Sequence, residues 1–375
     1  MVSERPMRID LVITELFVGG AERCLTQLAI GLQERGHSVR VASLGRLPQG
    51  HQADLLGRLR ERTIAVESAG CDRSRDLFRA HRWLRDWFSQ HPPDLVQSML
   101  YHANVMTAWA SRSAGVRHVV GGIRVAEDSS FRRLIERRAM ARMDAVVCVS
   151  GSVERFARTA FGSSLPPTRV IPNAIDLTEI DRQSAFAWSR IGWPDDSQVL
   201  LFVGRLHPQK GTDVLVAVVA DLLHRFPEMR CCLVGEGPQR AALQRVADAL
   251  GADRFQLVGW RSDALEMIRA CRLLVLPSRY EGMPNVVLEA MASGKPVAVT
   301  LVEGVAELLA QDTSEQSCPP NDPAALQRLI ETLWPDLPSL ERLGGQNRAR
   351  VAQGHSVAGM VDQYEMLYRS LILTK

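Results

Sequence analysis

With 375 residues, the chain is longer than a typical single domain of roughly 100 to 200 residues, so two domains are expected. Hydrophobic residues make up 46% and charged residues 23%, a composition that excludes a disordered or fibrous chain. The net charge of +3 is too small to indicate a nucleic-acid-binding protein, and the seven cysteines lack metal-ligand spacing, which argues against a zinc site.

The amino-terminal stretch MVSERPMRIDLVITELFVGG does not have the form of a signal peptide, since Glu15 interrupts its short apolar run. No apolar run approaches the roughly 20 residues that span a bilayer. The sequence therefore predicts a cytoplasmic protein, either free or lying on a membrane surface.

Short apolar runs alternate with longer amphipathic runs in the first half, beginning with a strand at 9–15 and a helix at 20–35. Further strands are predicted at 38–44, 63–66, 95–100, 116–120 and 145–149. This order predicts one doubly wound α/β domain over residues 1–176.

The second half repeats the same pattern after a junction rich in turn residues between 169 and 198. Its strands are predicted at 199–203, 230–234, 256–258, 273–276 and 297–300. They define a second domain over 177–354, and a final amphipathic helix in 355–375 is expected to pack back on the first domain. Near-continuous apolar strands predict parallel sheets, with ligands in a cleft at the carboxyl ends of their strands.

The segment GRLHPQKG places Arg205 and Lys210 on either side of a strand-to-helix turn. Free amides at a helix start and two cations favour a diphosphate, although solvated surface charges are an equal alternative. Gly235 in LVGEGP permits close approach of a ligand, and the backbone around Trp260 is a candidate to lie against a nucleobase. An ordinary βα turn explains each of these last two segments equally well.

The segment SRYEGMPNVVLEA carries two glutamates, Glu281 before a helix and Glu289 within it, and Pro284 is predicted in the first helical turn. Carboxylates accept hydrogen bonds from sugar hydroxyls, whereas the intervening amides favour phosphate. The segment is therefore a candidate binding site for a ribose, a hexose and a phosphate together.

In the first domain, Gly20 lies at a helix start, and His102 and Arg124 each follow a predicted strand. Isolated His and Arg residues are more often structural, but the end of a strand favours a role in the site. The glycine spacing of a dinucleotide fingerprint is missing, which argues against a nicotinamide oxidoreductase.

A helical run at 131–143 is rich in arginine, namely Arg132, Arg133, Arg137, Arg138 and Arg142. It is either a solvated face or a surface that docks on anionic lipid at the inner face of the cytoplasmic membrane.

The motifs GRLHPQKG, LVGEGP and EGMPNVVLE, in this order, resemble those of the retaining glycosyltransferases of family 4, which have the two-domain GT-B fold. FVGGAE, VIPNAID and YEMLY fit the same family, so the resemblance covers nearly the whole chain. It departs from the family pattern at Asn173-Ala174, at EGVAE (303–307) and at GGIR (121–124).

The resemblance implies that Arg205 and Lys210 bind the donor diphosphate, that Glu289 binds the ribose and that Glu281 binds the transferred sugar. The other residues implied at the donor are Gly20, Gly235, Trp260, Gly282, Met283, Pro284 and Asn285. Glu281, Arg205, Lys210 and His102 are the predicted catalytic residues, and no metal or cofactor is expected. His102 ranks slightly ahead of Arg124 as the acceptor-side residue.

The resemblance thus predicts an enzyme that moves a hexose from a nucleoside diphosphate sugar, such as a UDP-sugar, to a glycan or glycolipid acceptor in surface polysaccharide biosynthesis. The alternative is a non-catalytic partner or sensor that binds nucleotide sugars.

Overall fold

The computed structural model describes residues 5–71, 76–126 and 130–373 and divides the chain into two compact units. One unit contains Met1–Ala174 and Val357–Lys375, and the other contains Ile175–Ser356. Both borders lie two residues from the predicted ones. Residues 1–4 and 374–375, at the ends of the predicted domain ranges, lie outside the described residues.

The first unit is built on a seven-stranded sheet with the order β3-β2-β1-β4-β5-β6-β7, in which every pairing is parallel. Its strands are β1 (Arg8–Ile13), β2 (Ser38–Gly45), β3 (Ala65–Cys71), β4 (Leu95–Met99), β5 (Val119–Ile123), β6 (Ala145–Cys148) and β7 (Thr168–Val170). The central strands β4, β5 and β6 are buried along their whole length, as expected for a parallel sheet that helices cover on both faces.

Helices cover both faces of this sheet. They are α1 (Gly20–Glu34), α2 (Asp54–Glu61), α3 (Leu77–Gln90), α4 (Tyr101–Ser113), α5 (Ser130–Met140), α6 (Gly151–Phe161) and the carboxyl-terminal α16 (Val357–Leu373). The chain moves in one direction from β1 to β3 and in the opposite direction from β3 to β6, so right-handed crossovers place α1 and α2 on one face and α3, α4 and α5 on the other. Accordingly, α1 packs against α2, and α4 packs between α3 and α5.

The carboxyl-terminal helix α16 belongs to the core of the first unit and packs on α1. Val361 lies against Gly31, where an added Cβ would come within 2.5 Å of a Val361 methyl group. The Tyr368 hydroxyl donates to Gln97 Oε1 over 3.2 Å, and Glu365 accepts hydrogen bonds from Arg35 and Arg369. Buried apolar contacts, with hydrogen bonds at Tyr368 and at Glu365, therefore hold α16 on the first unit. This contact surface is here called the seam of α16.

The second unit has a six-stranded parallel sheet with the order β10-β9-β8-β11-β12-β13. Its strands are β8 (Gln198–Val203), β9 (Met229–Val234), β10 (Phe255–Gly259), β11 (Leu273–Leu276), β12 (Val297–Thr300) and β13 (Ser317–Cys318). Its helices are α7 (Leu177–Arg182), α8 (Thr212–Arg225), α9 (Arg240–Leu250), α10 (Ala264–Ala270), α11 (Asn285–Ala292), α12 (Val305–Leu309), α13 (Thr313–Gln316), α14 (Pro323–Leu333) and α15 (Leu337–Gly354).

The prediction of two Rossmann-like parallel units is confirmed, and the differences concern the bounds of some elements and two short strands. Strand β5, predicted at 116–120, covers Val119–Ile123. Strand β3 begins two residues later than expected and extends to Cys71, and the arginine-rich helix α5 ends at Met140 instead of 143. The short strands β7 and β13 were not predicted. Within the described ranges, no helix combines the length and the hydropathy that crossing a membrane requires.

Candidate functional site

The predicted donor-binding residues of the second unit follow the carboxyl ends of neighbouring strands. Arg205 follows β8, Gly235 follows β9 and Trp260 follows β10, whereas Glu281 lies in the loop after β11. Since parallel strands end at the same edge of their sheet, the fold gathers these residues at one edge. Ligands of doubly wound sheets bind at this edge.

The predicted cation and carboxylate of this edge are in direct contact. Lys210 Nζ lies 2.5 Å from Glu281 Oε1, and the same oxygen accepts a hydrogen bond from the Ser278 hydroxyl over 2.7 Å. The side chains of Lys210 and Glu281 are 18% and 7% exposed, so the ion pair is shielded from most of the solvent. The ammonium and the second carboxylate oxygen each retain capacity for further hydrogen bonds.

Gln209 connects the Arg205 loop to the Glu281 loop. Its side-chain oxygen accepts a hydrogen bond from Arg205 Nη2 over 3.1 Å, and its side-chain nitrogen donates to the Tyr280 carbonyl over 3.1 Å. The Gln209 carbonyl also accepts from the Arg279 amide. Gln209 thereby fixes the spacing between the guanidinium and the carboxylate, which lie on different loops.

Two glycines allow these loops to approach each other closely. Gly211 has φ +64°, and a Cβ there would lie 1.9 Å from the Pro277 carbonyl oxygen. Gly235 has φ +142°, and a Cβ would lie 1.9 Å from the Gly204 carbonyl oxygen. Any other residue would force the loops apart at both points. The glycines of these motifs thus have a structural role in the second unit.

The helix that carries Glu289 begins one residue later than the sequence suggested. Pro284 has φ −73° and ψ 113°, so it is the extended residue that precedes α11 and does not belong to the first turn, as had been predicted. The helix starts at Asn285, and Glu289 is half-buried on it. Gly282 and Met283 are buried in the connecting turn. The two glutamates therefore lie on either side of the helix start, as predicted.

In the first unit, the predicted Gly20 is the first residue of α1, and the loop before it is closed by a carboxylate. Glu22 is 8% exposed, and a Cβ on Gly19 would lie 2.3 Å from its Oε2. A carboxylate at a helix amino terminus is stabilised by the free amides and the helix dipole. Glu22 thus offsets part of the positive potential at the helix start where Gly20, a predicted donor residue, lies.

His102 and Arg124 each follow a strand of the first sheet, as the sequence indicated. His102 is the second residue of α4 and is half-buried, and burial, together with the nearby charge of Arg132, lowers its pKa. His102 is therefore neutral at pH 7 and available as a proton acceptor.

Arg124 is buried beneath the surface and is not accessible in the way that His102 is. It is 7% exposed, donates to the Asn173 side-chain oxygen and interacts with Glu22. Among the described residues, its Nη1 has no hydrogen-bond partner. Arg124 therefore links the end of β5 to Asn173, near the end of the unit. One guanidinium nitrogen, Nη1, retains its capacity to donate a hydrogen bond.

Three polar residues of the second unit contact the predicted site residues and were not identified as site residues from the sequence. Gln209 and Ser278 contact Arg205 and Glu281 as described, and Glu303 accepts a hydrogen bond from the Glu281 amide over 3.3 Å. Ser278 and Glu303 follow β11 and β12, the neighbouring strands of the sheet. Their position just after a strand is the feature of the sequence from which they could have been predicted as site residues.

Chemically, this edge provides a guanidinium, an ammonium, a carboxylate and a helix start within one set of loops. In the described part of the chain, no group of three or more His, Cys, Asp or Glu side chains is arranged as a metal site. Such a set suits a ligand with both phosphate and hydroxyl groups.

The sequence of each unit matches the model of a known protein family. The family model of Glycosyltransferase Family 4 matches residues 18–179, and the family model of Glycosyl transferases group 1 matches residues 197–336. The chain is 26% identical over 355 residues to the lipopolysaccharide core biosynthesis glycosyltransferase LpsE of Rhizobium meliloti, covering 94% of this chain and 96% of that protein. It is 27% identical over 288 residues to the alpha-D-kanosaminyltransferase of Streptomyces kanamyceticus, covering 76% and 68% of the two chains.

The fold is also found among solved structures. The crystal structure of Anabaena Alr3699/HepE in complex with UDP aligns with a TM-score of 0.79 at 22% identity, covering 97% of this chain and all of that chain. The protein therefore belongs to the family 4 glycosyltransferases, also described as glycosyl transferases group 1, and has their GT-B fold.

Proposed function

We propose that this glycosyltransferase transfers a hexose from a nucleoside diphosphate sugar to a glycan or glycolipid acceptor, with retention of the anomeric configuration, in surface polysaccharide biosynthesis. The observation that carries the proposal is the shielded Lys210–Glu281 pair beside the start of α11. An ammonium suits a diphosphate and a carboxylate suits sugar hydroxyls, so the pair matches the two halves of such a donor.

The remaining donor contacts follow from the positions of the loops. Arg205, held by Gln209, binds the diphosphate beside Lys210. Glu289 accepts hydrogen bonds from the ribose hydroxyls, and the turn from Gly282 to Asn285 contributes backbone groups to the sugar. Gly235 and Trp260 lie beside the nucleobase.

We infer that the leaving diphosphate needs no metal ion. Arg205, Lys210 and the amides at the start of α11 offset its developing charge, and preorganised donors of this kind are among the strongest contributions to catalysis. The proposed retention proceeds on one face of the sugar, with the departing phosphate helping to deprotonate the acceptor hydroxyl. Chelation is then expected to leave the transfer rate unchanged.

On the acceptor side we propose His102, because its lowered pKa keeps the imidazole neutral at pH 7. Arg124 has a supporting role through its buried position and its contact with Asn173. Support for a polysaccharide acceptor comes from LpsE, whose name places that protein in lipopolysaccharide core biosynthesis. An acceptor of this kind is anchored in a lipid, which favours a location at the inner face of the cytoplasmic membrane.

The proposal is tested in two steps with the full chain. Thermal shift with UDP, GDP, ADP and TDP and their hexose conjugates selects the donor, because a ligand at 100 times its dissociation constant adds about 2.7 kcal/mol to the free energy of unfolding. Mass spectrometry then measures transfer of the selected sugar to glycan and lipid-linked acceptors, and NMR of the product gives its anomeric configuration.

Glu281→Gln is the matched variant that tests the carboxylate, since it preserves the size of the side chain and removes its charge. Donor binding with no transfer or donor hydrolysis by the wild-type protein, even with lipid-linked acceptors, would favour the alternative of a nucleotide-sugar sensor. Absence of any shift with every nucleotide would contradict the donor site itself.

A further inference from the structure

One face of the first unit is far more basic than the rest of the chain. Helices α3, α4 and α5 with the turn 141–143 carry nine arginines against two carboxylates, Asp86 and Glu136. Their net charge of +7 exceeds the +3 of the whole chain, so the remainder of the molecule is net negative. These helices pack side by side on the sheet face opposite α1 and α16, so the charge is concentrated in one layer.

Apolar side chains are exposed within the same layer. Phe78 of α3 is 79% exposed and Leu134 of α5 is 53% exposed. An open groove of about 590 Å³ runs between the helices, lined by Phe78, His81, Met106, Trp109, Arg112, Ser113 and Arg142. The layer therefore combines apolar surface with positive charge, whereas an ordinary solvated face would carry charge alone.

The arginines around the groove are available to an external anion. In the described residues, Arg138 contacts the Leu134 carbonyl, and Arg142 contacts the Arg138 carbonyl and lies 5.8 Å from the centre of the Trp109 ring. None of these partners is a carboxylate. An arginine held over an indole beside an apolar groove matches the boundary between lipid headgroups and acyl chains, where amphipathic aromatic side chains lie.

We propose that the face formed by α3, α4, α5 and the turn 141–143, here called the basic face, docks on a bilayer that contains anionic lipid. Arg112, Arg138 and Arg142 contact the lipid phosphates, and Phe78, Leu134 and the wall of the groove enter the headgroup boundary. The charge makes the occupant anionic, and the exposed phenyl and isobutyl groups favour a bilayer over a soluble polyanion. The surface is larger than the arginine-rich helix predicted from the sequence, because α3 and α4 contribute to it.

The test is co-sedimentation of the full chain with vesicles of phosphatidylcholine alone and with vesicles containing about 30% phosphatidylglycerol, since anionic lipid attracts basic segments by about 1 kcal/mol per residue. We expect binding to the anionic vesicles and little to the neutral ones. Raising the salt from about 0.1 M to about 0.5 M should weaken binding, because the Debye length shortens.

Variants assign the binding to this face. Arg138→Glu/Arg142→Glu should lower the partition onto anionic vesicles by at least about tenfold, and Phe78→Ser should lower it about fivefold. The matched control is Arg182→Glu/Arg245→Glu, which reverses two exposed arginines of the second unit and should bind like the wild type. Thermal unfolding of each variant, compared with the wild type, reports that it is folded.

Equal binding to neutral and anionic vesicles, or no binding to either, would overturn the proposal. Wild-type binding by both basic-face variants would do the same, and so would binding to heparin without binding to vesicles. The proposal does not rest on the sugar-transfer proposal, because vesicle binding is measured without donor or acceptor.

Discussion

Replacing Lys210 by Ala separates a phosphate contact from a structural ion pair. The substitution removes the ammonium that lies 2.5 Å from Glu281 and leaves a carboxylate that is only 7% exposed with Ser278 as its remaining side-chain partner. A lost hydrogen bond to a charged group weakens binding by about 1.5 to 3 kcal/mol. We therefore expect the dissociation constant for the selected nucleoside diphosphate, with UDP as the first probe, to rise about ten- to 150-fold.

The same substitution also destabilises the second unit, because removing one partner of a shielded ion pair leaves the other charge uncompensated. The double variant Lys210→Ala/Glu281→Gln removes that charge and should recover thermal stability without recovering nucleotide affinity. Lys295→Ala is the control for the loss of a lysine, since Lys295 precedes β12 at the opposite edge of the sheet.

Isothermal titration calorimetry with each of the four proteins measures the nucleotide affinity, and thermal unfolding measures stability. Affinity restored in the double variant would show that the unpaired carboxylate, and not the loss of a phosphate contact, caused the weaker binding. That result would refute the role assigned to Lys210.

Three further predictions concern the glycine turn, the acceptor side and the seam of α16. Gly211→Ala should lower the melting temperature of the second unit and weaken nucleotide binding, since its Cβ would lie 1.9 Å from the Pro277 carbonyl oxygen. The control Gly57→Ala, in open space on α2, should leave the free energy of unfolding unchanged or raise it by about 0.5 kcal/mol, as measured by thermal unfolding. The pH profile of kcat/KM should show an acid limb below pH 6.5, because burial lowers the pKa of His102, and a limb at or above the ordinary value of 6.5 would contradict this. Partial burial raises the pKa of Glu365, but hydrogen bonds from Arg35, Arg369 and His37 outweigh it and lower the pKa from 4.5 to about 2. The stabilisation that the Glu365 carboxylate provides is thus present above pH 4.5 and lost towards pH 2. The difference in melting temperature between the wild type and Glu365→Gln should therefore shrink over that range. A constant difference would show that the carboxylate does not stabilise the fold.

The order of strands and helices was predictable because buried parallel strands are short apolar runs that glycine and proline separate from amphipathic helices. The exceptions have physical reasons. Strand β3, predicted at 63–66 with the wrong bounds, lies at the edge of its sheet and reads AVESAGC, which is weakly apolar. The two strands that were not predicted, β7 and β13, have only three and two residues. None of the three provides enough apolar surface for a clear periodic signal.

The candidate site was predictable residue by residue but not as a set of contacts. Lys210 and Glu281 were each selected for their position near a strand end, yet they are 71 positions apart and their ion pair depends on the neighbouring placement of β8 and β11. The bridging role of Gln209 depends on the same non-local placement, because its side chain donates to Tyr280, 71 positions away. Contacts of this kind follow from topology, which local patterns do not contain.

The shielded Lys210 ammonium also has a use in chemical labelling. The chain has only three lysines, at 210, 295 and 375, because 42 of its 45 basic residues are arginine. An amine-selective acylating reagent therefore has few side-chain targets, and Lys295 provides an internal reference in the same unit. A bound diphosphate would protect Lys210 from acylation and leave Lys295 unaffected, so the ratio of the two labelled peptides would report donor-site occupancy without any knowledge of the acceptor.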